Sequence, residues 1–223
     1  MPTEDITSNV VDIIYNLAQK HSCVFPVPED WCELFRKYPF NITWDEGDSD
    51  YVYNIDKIAT FKGQALHNKK NLLNQFMSLY TPSAKPLTHA LMADARHILD
   101  VWQEDMGEDR ESTDYFPCAQ ALELYDQLVL CGGIYYVDDE PAGFIIGEEV
   151  NNDMFALHFA KGKRKFKGMY QYMFNHFANL LPTKYAFLNF EQDMGRLALR
   201  IAKSSYHPDQ ILKKFRVQFV VSI

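Results

Sequence analysis

Residues 159–178, FAKGKRKFKGMYQYMFNHFA, change character twice. They open as the end of an alternating apolar run, cross five positive charges, and become helix-periodic directly after Gly168. A strand that passes through a loop into a helix builds parallel pairing, because two parallel neighbours need a crossover between them of a dozen residues or more. The next β-rich run, YAFLNF at 185–190, follows that helix. The helix itself spans Gly168 to Leu181, with Tyr170, Met173, Phe174, Phe177 and Leu181 spaced to face inward.

Outward from this unit the pattern stays sharp. Upstream, Leu122, Tyr125, Leu128 and Val129 predict an amphipathic helix, GIYYV (133–137) and AGFIIG (142–147) predict strands joined by the short acidic turn DDEP, and MFALHF (154–159) predicts a third strand. Downstream, Gly195 to Lys203 reads as a helix and FRVQFVV (215–221) as a closing strand. Three strands able to pair antiparallel, then a strand-helix-strand crossover, give an α/β (α+β) chain with a mixed sheet flanked by helices. This series resembles the GNAT-type acyltransferase fold, in which the helix after the third of these strands starts at a loop that holds the acyl donor's pyrophosphate.

The first half is more helical. Val11, Ile14, Tyr15 and Ala18 recur at helical spacing, and Pro28-Glu29-Asp30 starts a helix over DWCELFRKY. FNITW has strand composition. Tyr51 and Tyr53 alternate as in a strand before Leu66, Leu73, Phe76 and Met77 take helical spacing. Thr88 heads a helix with Leu91, Ala95, Ile98 and Trp102 on one face. The acidic, aperiodic stretch from Asp105 to Pro117 marks a connection. The division expected is therefore a helical, abbreviated GNAT-like half at 1–110 and a GNAT-like domain at 111–223.

With 223 residues, 47% hydrophobic and 14% aromatic, the chain can bury a substantial core. Its beginning lacks a basic start followed by an apolar stretch, and no window holds about 18 uninterrupted apolar residues, so the expectation is a cytoplasmic protein without a signal peptide or membrane span. Cys23, Cys32, Cys118 and Cys131 are too irregularly placed for a disulfide framework or a metal site, so reduced thiols and no metal are expected. A net charge of -8 argues against general nucleic-acid affinity and leaves only a local basic patch. No GxSxG, P-loop or HExxH motif occurs.

That local patch surrounds Gly168. Free amide N–H groups at a helix start, a small residue, and Lys161, Lys163, Arg164, Lys165 and Lys167 are what a phosphate site uses. The acetyl-CoA loop of GNAT enzymes reads roughly Q/RxxGxG/A, and here Tyr170 stands where a small residue is needed. The loop is read as an anion seat for a donor other than CoA, an RNA end or a phospholipid head group; the alternative is a solvated turn.

Three stretches resemble the phosphatidylglycerol lysyltransferase C-terminal domain family, a GNAT-related family. They are DYVYNIDKIATFKGQALHNKKNLLNQF (50–76), LHFAKGKRKFKGMYQYMFNHFA (157–178) and FLNFEQDMGRLALRIAKSSYHPDQILKKF (187–215). The chain departs from the family around His67, where Asn68-Lys69-Lys70-Asn71 replaces the usual Lys-Lys-Arg-Asn. The resemblance implies transfer of an aminoacyl or acyl group, without a metal, from a phosphate-bearing donor to an amine or hydroxyl acceptor. Aminoacyl-tRNA is the favoured co-substrate and acyl-CoA the other, and no cofactor is firmly implied. Alternatives are an acetyl-CoA-dependent N-acetyltransferase and a non-catalytic GNAT-fold binding module. Relatives are often fused to a membrane domain that supplies lipid; lipid contact by this chain is expected to be peripheral, and its oligomeric state has no signature in the sequence.

Aminoacyl transfer needs a proton acceptor, stabilisation of an oxyanion and a positioned RNA end. Glu191 and Asp193, just past YAFLNF, are the candidates for base or amine holder, and Arg200 and Lys203 lie three apart on one helix face. Tyr206 is a candidate proton donor. His67, Lys69, Lys70 and Asn71, on a helix with Leu66, Leu73 and Met77 inward, join Asn189 as candidate cleft residues. Each has a plainer reading: Asp193 as a helix N-cap, Arg200 and Lys203 as an exposed face, Tyr206 as turn packing. His158 alternates with Phe155, Leu157 and Phe159, so it faces away from them as a paired core or groove histidine.

Overall fold

The structure is a computed structural model that describes residues 9–21, 23–36 and 38–219. Expectations for residues 1–8, for the end of the closing run at 220 and 221, and for the side chains of Val11, Ile14 and Ala18 lie outside the described residues.

The main sheet is seven-stranded and mixed. Its strands are β3 (Asp50–Asn54), β4 (Pro82–Pro86), β5 (Cys131–Val137), β6 (Glu140–Glu149), β7 (Met154–Gly162), β8 (Phe187–Asn189) and β9 (Gln210–Leu212), in the order β4-β5-β6-β7-β8-β3-β9. All pairs are antiparallel except β7 with β8, whose connection contains α7 (Met169–Leu180). The β5–β6 hairpin turns on Asp138 and Asp139 at φ 49° and 65°, the pair of left-handed residues that a two-residue turn needs to match strand twist. Asp tolerates that region because its short polar side chain bonds locally. The architecture is the GNAT-like mixed sheet expected.

Alternate residues of the central strands feed two cores. Tyr135, Val137, Ile145, Phe155 and Leu157 pack on α3 (Ile55–Thr60), α4 (His67–Leu79) and α7. Ile134, Tyr136, Phe144, Ile146 and Phe159 pack on α5 (Met92–Met106) and α6 (Tyr115–Glu123). Fully buried side chains such as Phe76, Phe144 and Tyr53 each contribute about 2 kcal/mol through removal from water.

Three local expectations need correction. FRVQFVV does not close the main sheet: it forms β10 (Lys214–Phe219) between β1 (Val24–Pro28) and β2 (Phe40–Trp44) in a separate three-stranded sheet, where Val217 buries against Val27 and Phe35. Its place is taken by β3, whose first four residues are buried as an interior strand requires, with β9 beyond it. The main sheet thus draws strands from both sides of residue 110. The helix expected through Val129 stops at Glu123; Leu128 and Val129 are exposed, and Val129 takes φ 54° as the chain turns into β5. Finally, Phe76 rather than Met77 is the inward residue of α4; Met77 is half exposed. Helix α1 (Asn9–Lys20), α2 (Glu29–Phe35) and α8 (Leu197–Ser204) complete the described set.

Candidate active site

β7 and β8 pair only through Ala156↔Asn189. Beyond that point β7 stays on β6 to Gly162, while Phe190 and Glu191 stay beside β3 through Phe190 N–H to Tyr51 O and Tyr51 N–H to Glu191 O. The two strands therefore part, and the sheet opens at their C-terminal ends, where open α/β sheets place ligands.

A β-bulge lies at the mouth of this opening. Ile146 pairs with Phe159 and Gly147 with Leu157, so His158 is the extra residue. The bulge breaks the alternation expected for MFALHF: Leu157 and Phe159 enter opposite cores, and His158 is re-aimed across the gap. Its Nδ1 lies 2.8 Å from Glu191 Oε1 and its Nε2 3.2 Å from Glu148 Oε1. The hydrogen-bonded Glu191 carboxylate, opposed by burial and helped by Glu148, holds the imidazole protonated to higher pH than usual. The cue in the sequence was Gly147, since a glycine inside a strand often marks a bulge.

Glu191 reaches His158 from an unusual backbone, φ 58°. Its surroundings enforce this: Lys203 Nζ donates to the carbonyl oxygens of Phe190 (2.6 Å), Glu191 (3.2 Å) and Gln192 (2.5 Å), and Asn189 Oδ1 accepts the Glu191 N–H at 2.7 Å. Lys203 is a clamp on the segment after β8 rather than an exposed cation. Burial pushes its ammonium down to about 8, against the pull of Glu191, Asp50 and Asp193. Asn189, itself buried, is fixed by Asp50.

Asp193 and Arg200 are engaged with each other. Asp193 is fully buried and accepts from Tyr51 Oη (2.7 Å), Gly195 N–H (2.8 Å) and Arg200 Nε (2.8 Å), while Arg200 also reaches Glu46. Although burial raises its pKa, Arg200, Tyr51 and Gly195 bring it below the ordinary carboxylate value. Because α8 starts only at Leu197, Asp193 caps the preceding turn and not the helix. Tyr206 is buried among Phe61, Phe174 and Phe190, and its hydroxyl accepts from Gln171.

The loop at Lys161–Gly168 is built differently from the expected seat. Lys161 lies over the Trp102 ring and pairs with Asp114; Lys163 pairs with Glu140 and touches His97; Lys165 pairs with Glu140. The Arg164 guanidinium is held by the Asp105 carbonyl. Lys167 is exposed. Gly168 sits at φ 93° against α4: a Cβ there would fall 2.6 Å from Leu72 O, so only glycine fits. Burial pushes the adjacent Tyr170 phenol up to about 12. Asp114 in the α5–α6 connection and Glu140 of β6 thus pair with three of the loop's lysines, the Asp105 carboxylate holds the Arg164 backbone N–H, and α4 closes one side of the first turn of α7.

Of the α4 candidates, Lys69 Nζ stands 4.0 Å over the Tyr206 ring and donates to Ser205 Oγ at 2.6 Å, and burial lowers its pKa. His67, Lys70 and Asn71 point to solvent. Among the described residues no group of three or more His, Cys, Asp and Glu is placed to hold a metal ion, and no helix is long and apolar enough to cross a membrane.

Residues 7–218 match the family model for the phosphatidylglycerol lysyltransferase C-terminal domain. An uncharacterised protein of Mycoplasmoides gallisepticum is 24% identical over 181 residues, covering 78% of this chain; the chain spans 58% of the length of that curated relative. A conserved protein of unknown function from Bacteroides thetaiotaomicron superposes with a TM-score of 0.85 at 27% identity, over 95% of this chain and 75% of the other. L-PGS from Bacillus licheniformis superposes at 0.68 with 14% identity, over 96% and 73%, a likeness of fold alone.

Proposed function

The chain belongs to the phosphatidylglycerol lysyltransferase C-terminal family, and from that premise we propose that it transfers an aminoacyl group from an RNA-borne ester to an amine or hydroxyl acceptor at the β7/β8 split. One observation carries this reading: the bulge that sets His158 against the carboxylate of Glu191 at the point where the strands part. In this scheme Glu191 takes the proton from the acceptor nucleophile as it attacks the ester carbonyl. The His158 imidazolium, its Nδ1–H kept on Glu191, turns its Nε2–H from Glu148 to the oxyanion and gives that proton to the departing ribose oxygen, and the proton taken up by Glu191 restores the imidazolium. Lys203 and Asn189 keep the Glu191 backbone in place, and Asp193 with Arg200 braces the turn that follows.

Two features favour an RNA-borne donor over CoA. Tyr170 stands two positions after Gly168, where a small residue would admit a pyrophosphate, and Lys161, Lys163 and Lys165 of the loop are already paired within the chain. The test is transfer from an aminoacylated RNA minihelix to amine or hydroxyl acceptors, run beside thermal shift with acetyl-CoA. Acyl transfer from the minihelix with no acetyl-CoA shift is the expected result; the reverse pattern contradicts the proposal.

A further inference from the structure

The acids of this chain are distributed unevenly. From Lys57 through Ala93 there is no Asp or Glu, and from Met154 through Phe190 again none. Nothing in either stretch alone explains this, but the fold brings them together: α3 and α4 from the first pack on α7 from the second, with Asn175 and Asn179 of α7 donating to the carbonyls of Ile58 and Ala59. The opposite face of the sheet carries α5, α6 and their connection, where residues 94–126 hold ten acids against Arg96 and Arg110. A chain with net charge -8 thus has one helical layer whose charged side chains are almost all basic.

Which cations on that layer are open can be read from their partners. Lys57 is paired with Asp209. Lys62, Lys70 and Lys167 are exposed with no ion pair among the described residues, and His67 stands exposed beside them. Lys69 is half-buried, its contacts the neutral Ser205 hydroxyl and the Tyr206 ring. Lys167 belongs with the α4 group because the next residue, Gly168, is seated directly on Leu72 and Phe76.

We propose that this α4 face, from Lys62 through Lys69 and Lys70 to Lys167, is a docking surface for RNA. The alternation of cations with Asn68, Asn71, Asn74 and Gln75, all exposed, supplies charge for phosphates and amide donors for sugar and base edges. A lipid surface asks for something else, a ridge of large apolar side chains beside the cations, and on α4 those are confined to Met77 and Leu79 at its far end. The face also adjoins the split: Lys69 covers Tyr206, Tyr206 packs on Phe190, and Glu191 follows. An RNA lying along α4 has its end at the carboxylate. This deepens the transferase reading and rests on it for the identity of the RNA as donor.

The experiment is fluorescence anisotropy of a labelled RNA hairpin with a single-stranded 3′ end, titrated at several salt concentrations. The triple variant Lys62→Gln, Lys70→Gln, Lys167→Gln changes exposed side chains only, so its circular dichroism and melting should match the parent. It is expected to bind about tenfold more weakly or worse, with the slope of log affinity against log salt reduced by about 2, from roughly 0.7 to 0.9 per lost phosphate contact. Arg96→Gln on the opposite face should leave binding unchanged. Cosedimentation with phosphatidylglycerol vesicles provides the competing arm. Equal RNA affinity for parent and triple variant overturns the proposal, as does absence of RNA binding by the parent or a triple-variant loss confined to vesicles. Failure of the transferase reading is distinguishable: RNA binding lost in the triple variant while the parent transfers nothing keeps the docking face and removes the activity.

Discussion

Two segments leave the sheet at the same end, Lys161–Gly168 after β7 and Phe190–Asp193 after β8, and they are organised on opposite rules. The first is dense in charge, and Asp114 and Glu140 pair with three of its lysines inside the chain while Asp105 holds the Arg164 backbone. The second holds two acids and little else, yet its backbone is gripped from Lys203, Tyr51 and Asn189 and bent into a left-handed turn at Glu191. Charge density along a sequence is therefore not the same as charge available to a ligand. A residue held in a sparsely populated conformation by several independent contacts is the stronger pointer to chemistry.

The contrast can be broken by stability measurements. Asp193→Ala strips a fully buried carboxylate from Arg200, Tyr51 and Gly195, and is expected to cost about 3 kcal/mol in denaturant unfolding. Lys161→Met keeps the packing over Trp102 and leaves Asp114 partly exposed to water, so about 1 to 2 kcal/mol is expected. If Lys161→Met were neutral and instead weakened donor binding, the loop would have to be read as a binding element after all.

The strain at Glu191 can be sharpened by comparing Glu191→Gly with Glu191→Ala, which lose the same carboxylate. At φ 58° glycine is expected to be the more stable by about 1 kcal/mol. Equal stabilities would show that the left-handed turn is relaxed in solution.

Smaller still is the pH effect of His158. Its pKa is raised from the usual 6.5, so the stability it contributes is fully present below that value and is lost as pH rises through the folded pKa. The stability difference between the parent and His158→Gln should accordingly be largest in mild acid and shrink toward alkaline pH. A difference that grows with pH would contradict the arrangement with Glu191 and Glu148.

Legibility in the sequence followed the physics of each element. Strands β5, β6 and β7 and helices α4, α5 and α7 announce themselves by period, and the order of strands and crossover was enough for the mixed GNAT-like sheet. The insertion of β3 between β8 and β9 was not legible, because sheet neighbours far apart in the chain leave no periodic trace and β9 has only three residues. FRVQFVV carried a correct strand signal and no signal of which sheet it joins. At the site, Glu191 was found from its place after a strand, whereas His158 was missed because a one-residue bulge reverses the side a residue faces without altering composition. The pairing of Lys161 and Lys163 depended on acids that lie at positions 114 and 140, beyond the reach of any local pattern.

The most direct test is the initial rate of aminoacyl transfer from a charged RNA minihelix by Glu191→Gln, a change that keeps size and removes the proton acceptor. At equal folded fraction, the rate is expected to fall by about 10² to 10⁴ with minihelix affinity unchanged. A rate within a few-fold of the parent would contradict the assignment of the Glu191–His158 couple as the proton-transferring centre.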